Sequence, residues 1–417
     1  MKAMIFIHRI SLLLGLLIFF TGLQAQNDND YYTVNGTIKN MRNKKKIPYV
    51  NVYVPGTNVG TISNEDGEFI LKLDNSLKTT GIELSAVGFY NTRIEVSKDD
   101  QPDQTFYMNP LSVKLSEVEV LGWENPRELI ATALEKVETN YSLIPNLMTG
   151  FYRETAQKGK KYINISEAII HLYKDSYKAD VFKERVQVLK GRNLISPKFS
   201  DTLAVKLLGG PNLAIFCDIV KNPGIILDKN LLYYYSYKIG DMTSINNRIQ
   251  YVVHFSPQVL IDQPLYSGTF YIDRETLAFT RAEFKMDMHD KDKVTALILK
   301  HKPKGLRFSP QEVGYVISYR QNEGKTYLNY VHNEMKFKCD WKRRLFATNY
   351  TVISEMVVTD NQIDNITRIP VKSSFSMNKS LSEEAMTYYD SDFWGAYNII
   401  EPTESLEMAV GKLKKVQ

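Results

Sequence analysis

Asp287, His289, Asp290 and Asp292 form the densest group of possible metal ligands in the chain. Three carboxylates and an imidazole so close together suit a divalent cation, but Lys291 and Lys293 sit among them and the spacing differs from that of an EF-hand loop. The group follows an alternating apolar run and reads as the polar turn that ends a strand. Asn64, Glu65 and Asp66 raise the same question and are followed by Gly67, the order of a hairpin turn. Zinc hydrolysis requires a His and a carboxylate at fixed spacing, a further ligand and a general base. None of His171, His254, His289, His301 or His332 has Glu three positions later, and H-E-x-x-H is absent. No G-x-S-x-G, G-x-x-x-x-G-K or G-x-G-x-x-G occurs, which removes the nucleophile elbow and the phosphate and dinucleotide cradles. No catalytic residue, metal or cofactor is therefore assigned. A site assembled from distant loops leaves no local motif, so an enzyme is disfavoured rather than closed off.

What remains is apolar binding. Phe284, Met286 and Met288 alternate along one segment, and Met335, Phe337 and Trp341 share one face of another, opposite Lys336, Lys338 and Lys342. Methionine adapts to varied apolar shapes, so these six side chains are the candidate lining of a lipid-accommodating cup. The competing reading is a plain core, the commoner fate of alternating apolar strands.

Both segments must be strands, and the composition agrees: 26 Tyr and 19 Phe favour the pleated, half-buried surface of a sheet. Strands of alternating pattern are expected over 162–173, 181–189, 233–239 and 250–255, with a hairpin about Asp273-Arg274-Glu275-Thr276 and another about Asn322-Glu323-Gly324-Lys325. Asn125 caps an expected four-turn helix with Ile130, Leu134, Val137 and Tyr141 on its apolar face. Further helices are expected over 211–220 and after Glu401-Pro402, the latter with Leu406, Ala409, Val410 and Leu413 inside.

At 417 residues the chain exceeds one domain of roughly 150 residues. Its charge of +5 falls to 5 − 2 = +3 without Lys2 and Arg9, too balanced to argue for nucleic acid. Those two cations precede an apolar run over 10–20 and the close Leu23-Gln24-Ala25, which read as a signal peptide cut after Ala25. The run is shorter than the ~20 residues that span a bilayer. Export to the periplasm or an outer-membrane-associated place is expected. Cys217 and Cys339 either bridge across a long loop or remain two buried thiols.

Between the leader and Asn125 the short runs Val34-Asn35-Gly36-Thr37-Ile38, Ile47-Pro48-Tyr49-Val50-Asn51-Val52, the stretch from Gly60 to Phe69, and Val87-Gly88-Phe89 together resemble the carboxypeptidase-like regulatory domain. The resemblance implies a transthyretin-like sandwich of about seven strands, an accessory without peptidase activity, set at the front of a cell-envelope protein. Leu115-Ser116-Glu117-Val118-Glu119-Val120 is similar to the segment that follows this module in TonB-dependent transporters. Only 417 − 120 = 297 residues follow, too few for their plug and barrel. The helix, long strands and the run Gly268-Thr269-Phe270-Tyr271-Ile272-Asp273-Arg274-Glu275-Thr276-Leu277-Ala278 resemble the half-open barrel of LolA-type lipoprotein carriers. That resemblance implies a concave face able to hold acyl chains.

The expectation is thus a mainly β chain: leader 1–25, transthyretin-like sandwich 26–121, and a larger antiparallel LolA-like half-open barrel with a few helices over 122–417. The function expected is a non-enzymatic envelope docking or binding protein for a protein, glycan or lipophilic ligand, with peripheral membrane association open. The alternatives are an envelope hydrolase built from dispersed carboxylates and a small outer-membrane barrel, against which the polar Lys412-to-Gln417 tail counts.

Overall fold

The computed structural model describes residues 30–97, 103–111, 123–198, 201, 203–342, 346–377, 379–384 and 394–414. The leader, its cut site, the 115–120 segment and the boundary between 121 and 122 lie outside the described residues.

Seven strands come first among the described residues: β1 (Tyr31–Asn40), β2 (Asn51–Tyr53), β3 (Gly60–Ile62), β4 (Glu68–Asp74), β5 (Gly81–Ser85), β6 (Thr92–Glu95) and β7 (Gln104–Met108). They form two sheets, β4-β1-β7 and β3-β2-β5-β6. In β1 every second side chain is buried, so Val34 and Ile38 meet Val52, Leu71 and Leu84 in one core while the alternate positions face outward. The turn into β4 is held by Asn64, whose Oδ1 accepts from Asp66 N and Glu68 N at 2.9 Å. Gly67 there has φ +68, and a Cβ would stand 2.9 Å from Ile38 O. The three polar residues before Gly67 are thus occupied in turn geometry.

After α1 (Pro126–Glu135) and α2 (Val137–Asn140), a second system begins with β8 (Asn146–Lys158), β9 (Lys161–Lys174), β10 (Arg185–Ile195), β11 (Lys206–Leu207) and α3 (Pro211–Phe216). It continues through β12 (Tyr235–Ile239), β13 (Thr243–Ile245), β14 (Arg248–Pro257), β15 (Tyr266–Asp273), β16 (Phe279–Met286), α4 (Lys291–Ile298) and β17 (Leu299–His301). It ends with β18 (Leu306–Asn322), β19 (Lys325–Trp341), β20 (Thr348–Gln362), α5 (Leu381–Glu384) and α6 (Glu404–Lys414). Eleven strands make one antiparallel sheet in the order β10-β9-β8-β20-β19-β18-β16-β15-β14-β12, with β13 also on β14. β10 and β12 end the order at opposite edges, so the sheet is an open one.

Its two faces differ. Met148, Tyr152 and Ala156 of β8 and Val352, Met356 and Val358 of β20 point to the inner face, where α1, α3, α4 and the 203–234 stretch cover them in the main core. Phe151, Ile169, Tyr330 and Val357 point to the outer face and pack with Ile62 of the sandwich and with Trp394, Ile399 and Ile400. The sandwich is therefore seated on the back of the large sheet, with the 394–400 strap beside it: Thr61 Oγ1 donates to Ile399 O at 2.7 Å, and Lys72 and Asn398 exchange two hydrogen bonds.

Several local expectations shift. The helix capped by Asn125 stops at Glu135, and Val137–Asn140 is a separate turn that delivers Tyr141 into the core. Residues 181–183 form a 3-10 turn capped by Asp180, and the strand starts at Arg185. Residues 231–234 likewise wind before β12. The helix from Pro211 ends at Phe216 rather than 220, where Asp218 turns into a buried ion cluster. Cys217 and Cys339 are both buried free thiols.

Candidate functional site

Where β8, β9 and β20 lie side by side, Ala156, Ile163 and Val352 form one wall of a cavity of about 290 Å³. The 203–208 stretch supplies the opposite wall with Leu203, Val205 and Leu207. It is positioned by a two-stranded ladder, β11 against β17. The rest of the lining is mostly polar and includes the carboxyls of Glu154, Asp201 and Glu383, the ammonium groups of Lys206 and Lys300, and Ser380. Apolar walls with polar groups placed among them are the ordinary make-up of a small-molecule pocket.

Glu154 accepts from Tyr152 OH at 3.2 Å and from Leu381 N at 3.4 Å. Burial pushes its pKa above the usual carboxylate range, and those hydrogen bonds only partly counter the shift. Glu383 is moved the other way, held low first by Lys206 Nζ at 2.5 Å and then by Ser380 N. One cavity thus carries three carboxyls, Glu154 with its pKa raised and Asp201 and Glu383 with theirs lowered, and two lysines. Such a set can bury an aliphatic chain and hold a polar end.

The six residues singled out from the sequence are all on the inner face. Phe284, Met286, Met335 and Phe337 are buried in the main core, and Met288 and Trp341 pack against it. Phe284 stacks on Tyr315 with centroids 5.0 Å apart, and Phe337 on Tyr350 at 5.6 Å. The 290 Å³ cavity is lined by other side chains, but Met335 is directly opposite Val352 in the β19–β20 ladder. The two groups are neighbours across one strand pair. Of the Asp287 group, Asp287 Oδ1 accepts from His289 N, and Asp290 caps α4 by accepting from Asp292 N and Lys293 N, each at 3.1 Å.

Sequence reading did not single out Leu203, Val205 and Leu207, whose alternation was the available signal. Nothing local marks Ala156 and Val352 as partners, because they meet only through sheet pairing.

Beneath the inner face lies a second feature without a sequence motif. Lys174 Nζ is 2.8 Å from Asp218 Oδ2 and 3.1 Å from Glu184 Oε1, and Tyr177 OH and Tyr319 OH donate to Asp218 at 3.0 and 2.8 Å. Burial alone would raise the Asp218 carboxyl, yet Lys174 and the hydrogen bonds hold it below its ordinary value. Glu184 has less compensation, and burial pushes it up to about 7. This cluster anchors the covering stretch to β9; it is deep in the core rather than at a surface.

Fold and site together define a mainly β, two-part protein: a seven-stranded sandwich seated on an open antiparallel sheet whose other face lines a cavity of mixed apolar and polar side chains. Residues 34–120 match the sequence model of the CarboxypepD_reg-like domain. No curated protein matches the chain. Among solved structures, a putative outer membrane lipoprotein-sorting protein domain from Vibrio parahaemolyticus is similar over 58% of this chain and 95% of its own, at 10% identity and a TM-score of 0.28. A DUF1329 family protein from Desulfovibrio piger covers 58% and 93%, at 12% identity and TM-score 0.23. Lipovitellin covers 60% of this chain and 29% of its own, at 10% identity and TM-score 0.26. Among the described residues no helix is long and apolar enough to cross a membrane.

Proposed function

We propose that this is a non-enzymatic cell-envelope protein that takes the apolar chain of a lipid-like molecule into the inner-face cavity, while the front sandwich serves docking. The observation that carries the reading is the 290 Å³ cavity, walled by Ala156, Ile163, Val352, Leu203, Val205 and Leu207 and rimmed by Lys206 and Lys300. An aliphatic chain gains about 0.8 kcal/mol per methylene removed from water, and Lys300 suits an anionic end, Lys206 being paired with Glu383. In this reading a chain longer than the cavity runs on from Val352 toward Met335, and Phe284, Met286, Met288, Phe337 and Trp341 form the adaptable ground beneath it.

The test is native mass spectrometry of the protein purified from the periplasm, paired with displacement of a fluorescent fatty acid. Val352→Trp fills the cavity and is expected to weaken probe binding at least about tenfold, the equivalent of 1.4 kcal/mol. A wild-type protein that carries no lipid and binds no probe would overturn the reading.

A second reading has its own observation. Glu154 and Glu383 share the cavity with pKa values pushed in opposite directions, the arrangement that acid and base carboxylates adopt in hydrolases. It requires that Glu154→Gln abolish turnover of a glycan or peptide. In the lipid reading the same variant shows no lost turnover and binds the probe.

A further inference from the structure

Three arginines are buried among the described residues, Arg153, Arg192 and Arg320. Two are matched by carboxylates: Arg153 by Glu167 at 2.7 Å and Glu355 at 3.2 Å, and Arg192 by Glu167. Arg320 of β18 is not. Its Nη2 donates to Asn58 O of the sandwich at 2.6 Å, and its guanidinium lies over the Tyr53 ring at 5.6 Å. Among the described residues no carboxylate is within ion-pair distance of it. A buried cation without a counter-charge is destabilising. Burial drags the Arg320 pKa down to about 10, with the Tyr53 phenol and Asp360 only partly opposing.

Arg320 and Tyr53 line a cavity of about 180 Å³ at the seam between sandwich and large sheet, along with Asn246 and Thr280. The other cation in that lining, Arg248, is spoken for: Nε and Nη2 engage both oxygens of Asp273 at 2.6 and 2.8 Å. One uncompensated positive charge is left in a space with room for a small ion. Guanidinium N–H donors beyond the one given to Asn58 O suit a carboxylate or phosphate oxygen.

We propose that the seam cavity is a binding site for a small free oxyanion, phosphate or a simple carboxylate, held by the Arg320 guanidinium. Because Asn58 and Tyr53 belong to the sandwich and Arg320 to the large sheet, an occupied site tightens the joint between the two parts. This inference is independent of the lipid cavity, which lies elsewhere on the sheet.

Thermal unfolding of the full chain at constant ionic strength decides it. Inorganic phosphate or acetate at about 10–20 mM, replacing chloride, is expected to raise Tm by about 1–2 °C. Arg320→Gln is expected to abolish that rise, which separates a site from general salting effects. Equal Tm values in phosphate, acetate and chloride would overturn the proposal, as would an equal rise in Arg320→Gln. Should the variant not fold, a selenate-soaked crystal of the unmodified protein decides: anomalous density in the seam cavity beside the Arg320 guanidinium supports the site, and an empty seam overturns it. A rise with phosphatidylglycerol vesicles but not with inorganic phosphate would assign the charge to a membrane headgroup and overturn the free-anion form.

Discussion

Asp218 has two tyrosine hydroxyls and Lys174 Nζ on its carboxylate, all out of water. Removing one partner of such a cluster leaves the others buried and unmatched, so Asp218→Ala is expected to cost about 3–5 kcal/mol in a urea titration. Glu401 makes the opposite case. Burial raises its pKa to about 7, with Arg153 only partly countering, while the unfolded chain ionises near 4.5. Between those values the unfolded state releases the proton and the folded state keeps it, so stability contributed by the neutral group is lost as pH rises from about 4.5 to 7. Glu401→Gln is expected to flatten that decline in a Tm-against-pH series; an unchanged slope would count against the shift. Neither residue carries a signal in the sequence. A lone Asp beside Cys217 and a Glu before Pro402 look like surface residues until the elements around them are placed.

Turns were the most legible level, because their chemistry is local. The hairpin expected at Asn322 to Lys325 joins β18 to β19, and its two central residues, Glu323 and Gly324, both have positive φ, 49° and 75°. That is the twist-compatible turn in which Asn-Gly is preferred. Glu323→Asn is therefore expected to stabilise by about 0.5 kcal/mol, seen as a higher urea midpoint with unchanged slope. The Asp273 hairpin was legible too, its Oδ1 accepting from Glu275 N and Thr276 N. Helix lengths were less so: an apolar stripe from Ile130 to Tyr141 keeps helical spacing, yet the backbone breaks at Lys136 and uses two pieces to reach the same face. The cavity was not legible at all. Alternation placed Val352 and Ala156 on a buried face, but which strand lies beside which is a non-local outcome, and β20 pairs with β8 across most of the large sheet's sequence.

At the scale of the whole molecule, the sandwich was readable from its own residues, whereas its seat on the large sheet was not. That seat is a mixed surface in which Ile62 meets Phe151, Ile169 and Val357, while Asn58, Thr61 and Lys72 bond across it. Trp394 closes it, its ring edge-on to Phe151 at 5.3 Å with the Arg192 guanidinium 5.4 Å above. Trp394→Ala is expected to cost about 3–5 kcal/mol and to expose the seam to limited proteolysis, with both sheets otherwise intact. A protease pattern identical to that of the unmodified protein would show that the strap does not hold the seam.

The hydrogen bond between Thr61 and Ile399 joins residues 338 positions apart. A ribosome adding ~5–20 residues per second needs on the order of half a minute to travel that distance. During that interval the sandwich has its own core, while the large sheet and then the strap that cover Tyr49, Ile62 and Ile70 are still being made. The nascent chain therefore passes through a long period with an uncovered apolar patch on a finished domain, a period in which a holding chaperone has a reason to bind.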